Sequence, residues 1–163
     1  MKIAITGGTA GIGLALAKQF EANGYEVLQL SRRNGYNIRS LPKVAGMIDP
    51  CDMFINNAQV GFAQTELLFE IWRRWEGQPK TIVNISTQMT GMIVPPKREW
   101  DEYIIQKKTL ELAQNLLTER NVWPRQIMIK PGNVATQPGQ EPPLYQNVDE
   151  YAQGVYEWIA KNI

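Results

Sequence analysis

Apolar residues in this chain come in short continuous runs, separated by longer stretches in which they recur every three or four positions. That alternation predicts a succession of strands and helices. Lys2 to Thr6 reads as a buried strand, and Ile12, Leu16 and Phe20 behind it mark a helix that Asn23-Gly24 ends. Glu26 to Leu30 is a second strand. Its distance from the first, about 20 residues of turn and helix, suits a right-handed parallel crossover. Tyr36-Asn37-Ile38 predicts a very short third strand, followed by Ser40 as a cap and Pro42 in the first turn of a short helix that Asp49-Pro50 closes. Met53 to Asn56 is another strand, and Leu68, Ile71, Trp72 and Trp75 form the stripe of a helix ended by Gly77-Gln78-Pro79. Thr81 to Ser86 makes the next strand, Trp100 to Glu119 the longest helical pattern, Gln126 to Lys130 the last strand, and Asp149 to Ala160 a final amphipathic helix.

Prolines punctuate two connections. Pro95-Pro96 precedes the long helix, while Pro131, Pro138, Pro142 and Pro143 lie in a loop of about 17 residues, long enough to be functional or mobile. Strands alternating with helices predict one α/β domain over residues 1–163. Its doubly wound parallel sheet has five or six strands, helices on both faces, and a ligand site beyond the carboxyl ends of the strands.

Composition narrows the chemistry. The 163 residues carry 17 basic and 16 acidic side chains, a net charge of +1, which gives no reason to expect nucleic acid or an anionic membrane as partner. With no histidine and one cysteine, Cys51, most transition-metal sites and any internal disulfide are excluded, so no metal is expected. There is no apolar run of about 20 residues and no secretory pattern, so a cytoplasmic protein acting on a small molecule is expected.

The first strand runs into Thr6-Gly7-Gly8-Thr9 and a helix opening at Gly11-Ile12-Gly13. Free amide N–H groups at a helix start, together with the macrodipole, favour an anion, and a pyrophosphate fits. Glycine at 7 permits the tight turn, at 11 the approach of backbone to phosphate, and at 13 close packing of helix on sheet. The Gly-Lys-Ser/Thr ending of a nucleoside-triphosphate loop is absent. The second strand ends not in a carboxylate but in Ser31-Arg32-Arg33. Two guanidinium groups there suit the 2′-phosphate of NADP(H), which an acidic residue would repel.

Tyr103 and Lys107 are four apart in the long helical pattern and therefore share a face. An ammonium about 5 Å from a phenol, at an effective dielectric of 20, is worth roughly 3 kcal/mol, most of what half-ionising it at neutral pH requires. Tyr103 is thereby expected to exchange a proton with a carbonyl or alcohol oxygen while a nicotinamide exchanges hydride with its carbon.

With these residues in place, the chain resembles the short-chain dehydrogenases/reductases. Thr6-Gly7-x-x-x-Gly11-Ile12-Gly13, Asn56-Asn57-Ala58, Tyr103-x-x-x-Lys107 and Pro131-Gly132-x-Val134-x-Thr136 follow one another in family order over residues 6–136. The resemblance implies a Rossmann-like fold and an NADP(H)-dependent oxidoreductase in which Tyr103 is the acid/base. It implies that Lys107 lowers the pKa of that tyrosine and holds the nicotinamide ribose, and that a hydroxyl, Ser86 or Thr87, positions the substrate oxygen. It places Asn57 and Ala58 along the adenosine and ribose, Asn37 beside the adenine, and the Pro131 to Thr136 turn on the nicotinamide carboxamide, with Val134 contributing backbone and Thr136 its hydroxyl.

The chain departs from the family pattern in being short. No counterpart of the family's relay asparagine stands out between Gln64 and Gln78, Gln59 replaces a usual glycine, and the lid region Gln137 to Asn147 is short and proline-rich, predicting an open site. In similar proteins the helices after the fourth and fifth strands pair across a dimer axis, so Leu68, Trp72 and Trp75 on one, with Ile104, Leu112 and Leu116 on the next, are expected either to fill the core or to form the seam of a homodimer or homotetramer. Two functions follow as expectations: an NADP(H)-dependent oxidoreductase, or an NADP-binding sensor or scaffold that has lost turnover.

Overall fold

The computed structural model describes residues 1–93, 97–120 and 123–163. The predicted Pro95-Pro96 loop lies outside them. Strands β1 (Lys2–Thr6), β2 (Glu26–Leu30), β3 (Met53–Asn56), β4 (Thr81–Ile85) and β5 (Arg125–Ile129) form one parallel sheet in the order β2-β1-β3-β4-β5. Order reverses at β1, so β1 and β3, which carry the glycine turn and Asn56-Asn57-Ala58, end side by side. That is the crevice of a doubly wound sheet.

Helices α1 (Gly11–Ala22) and α5 (Val148–Asn162) cover one face, and α2 (Leu41–Ile48), α3 (Ala63–Trp75) and α4 (Asp101–Arg120) the other. The strands explain the division, because successive side chains point to opposite faces. Ala4, Phe54 and Ile82, in register across β1, β3 and β4, pack with Leu67, Ile71 and Leu110. Ile5, Ile55 and Val83 pack with Leu16, Phe20 and Ile159. Both faces are buried, as a sheet flanked on each side requires.

Tyr36-Asn37-Ile38 is not a strand. Ser31 and Asn34 close a reciprocal cap around the turn Arg32–Asn34, Gly35 reverses the chain at φ +88°, and Lys43 donates to the Gly35 carbonyl (2.9 Å). The chain is thereby folded back toward α2, with Ile38 buried against the core rather than laid beside the sheet. The long proline-rich connection contains a two-residue parallel pair, β6 (Val134–Ala135) with β7 (Gln146–Asn147). Gln146 N–H donates to the Asn133 carbonyl (2.8 Å), and Gln140 Oε1 accepts from the N–H groups of Thr136 and Gln137 (2.9 and 3.0 Å). The lid is thus tied back on itself, although Leu144 stays 74% exposed.

Of the apolar residues expected in the core or at a seam, Leu68, Trp72, Trp75 and Ile104 are buried within the fold. The outward stripe is on α4, where Ile105, Leu112 and Leu116 are 56%, 70% and 44% exposed. No helix among the described residues is long and apolar enough to cross a membrane.

Candidate functional site

The glycine turn depends on contacts that leave no room for side chains. Gly7 and Gly11 hold φ of +70° and +52°, which a Cβ would strain. At Gly13 a Cβ would lie 2.4 Å from the Gly7 carbonyl oxygen and 2.6 Å from Asn57 Nδ2. Thr6, at the end of β1, and Asn57, just after β3, brace the turn: Thr6 Oγ1 accepts from the N–H groups of Asn57 (3.1 Å) and Ala58 (3.2 Å), while Asn57 Nδ2 donates to the Thr6 carbonyl (3.0 Å). Helix α1 starts after Ala10, with no side-chain cap and no acidic residue in its first turn. Its leading N–H groups are therefore available to an anion. Gly8 packs on Gln29, and Ile12 packs on the α5 side of the sheet.

Beside the turn lies a cleft of about 360 Å³. It gathers Gly7, Thr9, Ser31, Arg32, Arg33, Asn37 and Ala58 from the expected set, together with Tyr36, Gln59 and Val60. Thr9 Oγ1 donates to Ser31 Oγ (3.0 Å), and Arg33 Nη1 donates to the Thr9 carbonyl (3.4 Å), drawing the end of β2 toward the glycines. Among the described residues neither Arg32 nor Arg33 makes an ion pair with a carboxylate. Asn37 Oδ1 accepts from Arg39 N–H (3.0 Å). On the other side of the turn, Thr136 carbons lie 3.5 Å from where a Cβ on Gly11 would be, so the Pro131 segment folds over the start of α1.

At the end of β4 the adjacent hydroxyls part company. Ser86 Oγ donates to Glu111 Oε1 (2.5 Å), whereas Thr87 hydrogen-bonds the Tyr103 phenol. Gln88 follows, its N–H donating to the Pro131 carbonyl (2.9 Å) and its side chain lying against Gly132, where a Cβ would meet Oε1 at 2.8 Å. Lys107 is 3% exposed, with Nζ 5.7 Å from the centroid of the Tyr103 ring.

Two glutamines here carry more of the site than the sequence pattern suggests. Gln64, in the first turn of α3, accepts from Lys107 Nζ (2.9 Å) and donates to the carbonyls of Asn56 (2.7 Å) and Ile85 (3.1 Å), while Lys107 also donates to Ile85 O (2.8 Å). An amide thus stands against the lysine in the stretch where no relay residue stood out. Its sequence signal is weak: one glutamine just ahead of an apolar helical stripe. Gln59, in place of the glycine, donates to Gln106 on α4, which in turn donates to Glu102 (3.0 Å). The tip of β3 is thereby joined to the catalytic-pattern helix.

The expected lowering of the tyrosine pKa does not appear. Burial pushes the Tyr103 phenol up, and the Thr87 hydrogen bond offsets this only in part. Lys107, held by two carbonyl oxygens, is itself drawn down to about 8 by burial, against a smaller upward pull from the Glu111 carboxylate. The folded-state value lies below the unfolded one, so from about pH 8 to 10.5 the unfolded chain binds more protons and stability rises with pH. Denaturant unfolding at pH 7.5 and pH 10 should show wild type gaining about 2 kcal/mol relative to Lys107→Met. A difference that does not change with pH would mean the lysine titrates normally.

No protein-family model matches the sequence, and no curated protein matches it. Solved structures do. An alcohol dehydrogenase from the archaeon Thermococcus sibiricus complexed with 5-hydroxy-NADP is 16% identical, with 98% of this chain and 91% of that one covered at a TM-score of 0.76. A short-chain dehydrogenase from Burkholderia cenocepacia in complex with NADP is also 16% identical, with 98% and 84% covered at 0.76. A bulky-bulky ketone specific alcohol dehydrogenase from Comamonas testosteroni is 17% identical, with 98% and 82% covered at 0.77. With its β2-β1-β3-β4-β5 sheet and glycine turn, this chain has the fold of the short-chain dehydrogenases/reductases.

Proposed function

We propose that the protein is a member of the short-chain dehydrogenase/reductase family that interconverts a carbonyl and an alcohol of a small molecule with NADP(H). The observation that carries this is the cleft itself. An uncapped helix start, glycines that a Cβ would block, and two arginines without carboxylate partners among the described residues converge on one side of β1, and the Tyr103, Lys107 and Thr87 cluster stands at the end of β4.

Those residues fit the cofactor. The N–H groups at Gly11, Ile12 and Gly13 would receive the pyrophosphate, Arg32 and Arg33 the 2′-phosphate beside Ser31, Asn37 the adenine edge, and Asn57, Ala58 and Lys107 the ribose hydroxyls. Pro131, Gly132, Val134 and Thr136 would hold the carboxamide. When bound, NADPH supplies the hydride for the carbonyl carbon. Thr87 holds the substrate oxygen, and Tyr103 gives that oxygen its phenolic proton, so that carbonyl, NADPH and a proton become alcohol and NADP⁺. A phenol kept protonated by burial suits the reducing direction, in which it acts as the acid.

Glu111 withdraws Ser86 from this role, which leaves Thr87 as the hydroxyl that meets the tyrosine. The exposed Ile105, Leu112 and Leu116 stripe on α4 suits self-association as a homodimer or homotetramer. The second reading, NADP binding without turnover, is favoured by one feature: Lys107 is buried and its Nζ already donates to Gln64 Oε1 and the Ile85 carbonyl, which leaves one N–H for a cofactor ribose.

Cofactor choice is tested by titration. Wild type should bind NADPH at least about tenfold more tightly than NADH, since each charge-assisted pair to phosphate is worth roughly 1.5–3 kcal/mol. Arg32→Ala combined with Arg33→Ala should erase most of that preference while leaving NADH binding unchanged. Equal affinity for both cofactors in wild type would remove the arginines from the site.

A further inference from the structure

We propose that Glu111 is a positioning residue, a single carboxylate that registers the Thr87 loop and the Pro131 turn against the helix carrying Tyr103 and Lys107. Tyr103, Lys107 and Glu111 are successive fourth residues of α4 and so stack along one face. From that face Glu111 reaches two separate loops. Its Oε1 accepts from Ser86 Oγ (2.5 Å) and Thr90 Oγ1 (2.8 Å), which bracket Thr87, and its Oε2 accepts from Lys130 Nζ (2.6 Å), the residue before Pro131. The two loops are also joined directly, through Ser86 N–H to Ile129 O (2.8 Å) and Gln88 N–H to Pro131 O (2.9 Å). One anion therefore fixes three parts that must meet for proton and hydride to reach the same substrate.

The carboxylate is ionised at neutral pH. Burial alone would raise its pKa, but the hydrogen bonds from Lys130, Ser86 and Thr90 and the lysine's charge outweigh burial and lower it. The titratable groups facing Lys107 are Tyr103 and Glu111, with Lys130 beyond Glu111, while Gln64 and the Ile85 carbonyl are neutral. Glu111 thus also supports the charge of Lys107 against burial, and Lys130 moderates that support.

This inference rests on the oxidoreductase reading only in its kinetic arm. In the full-length chain labelled with ¹³C at lysine Cε, the Lys107 signal is identified by its loss in Lys107→Arg. Glu111→Gln should shift its titration midpoint to lower pH, and Lys130→Met to higher pH. A purely structural brace would not move the two in opposite directions. With NADPH and trifluoroacetophenone as probe substrate, Glu111→Gln should lower kcat about tenfold or more with KM for NADPH changed less than about threefold. If Glu111→Gln does not fold, the exposed Lys130→Met carries the test alone. An unmoved Lys107 midpoint in the variants that fold, or backbone amide shifts at Thr87 and Gly132 that Glu111→Gln leaves in place, overturns the proposal. Midpoints that move as expected in a protein without turnover support it and count against the proposed activity instead.

Discussion

Tyr103→Phe is expected to lower kcat for NADPH-dependent carbonyl reduction by about 10²–10⁴-fold, the usual worth of a positioned acid. In barrier terms that is roughly 3–5 kcal/mol. Binding of NADPH should change little, because the phenylalanine ring keeps its place beneath Lys107 and loses only the hydroxyl that meets Thr87. The pattern matters as much as the size. A fall in kcat and in kcat/KM together, with the NADPH dissociation constant held, marks an interaction made in the transition state. Parallel loss of cofactor binding would make Tyr103 a packing residue.

Gly13→Ala should produce the largest effect on the folded state. Its Cβ would press on the Gly7 carbonyl at 2.4 Å and on the Asn57 side-chain amide that braces the turn, and the first of these is backbone that cannot rotate away. Overpacking of this kind costs about 3 kcal/mol. For a chain of this size that is a fall in Tm of roughly 6–12 °C. Stabilisation by NADPH should vanish as well, since the same shift displaces the N–H groups at the start of α1. Gly154→Ala is the internal control: it lies in α5 with nothing within 4 Å of the added Cβ, and it should be neutral or stabilising by up to about 1 kcal/mol. Equal Tm values for Gly13→Ala and wild type would deny the close approach.

Much of this architecture was legible because it is written in local patterns. Every strand of the main sheet is a short segment rich in apolar residues, the glycines announce a turn whose geometry excludes side chains, and the spacing of Tyr103 and Lys107 fixes their shared face. What the pattern missed depends on contacts between distant segments. Tyr36 to Ile38 has strand-like residues, yet the Ser31 and Asn34 cap and the Gly35 reversal carry it away from the sheet. The β6–β7 pair includes Gln146-Asn147, which shows no apolar alternation to betray a strand. Ser86 and Thr87 are neighbours of similar chemistry, and only the position of Glu111, 25 residues from Ser86, separates them. Likewise, the Tyr103 and Lys107 spacing predicted their proximity but not the burial that governs both their pKa values.

The most direct measurement is deuteride transfer from C4-deuterated NADPH to a panel of aldehydes and ketones, including trifluoroacetophenone, followed by mass and NMR analysis of the product. Wild type is predicted to place deuterium on the carbinol carbon, and Tyr103→Phe to reduce that rate by about 10²-fold or more. Binding of NADPH without deuterium in any product would contradict the account and leave a cofactor-binding protein that has lost turnover.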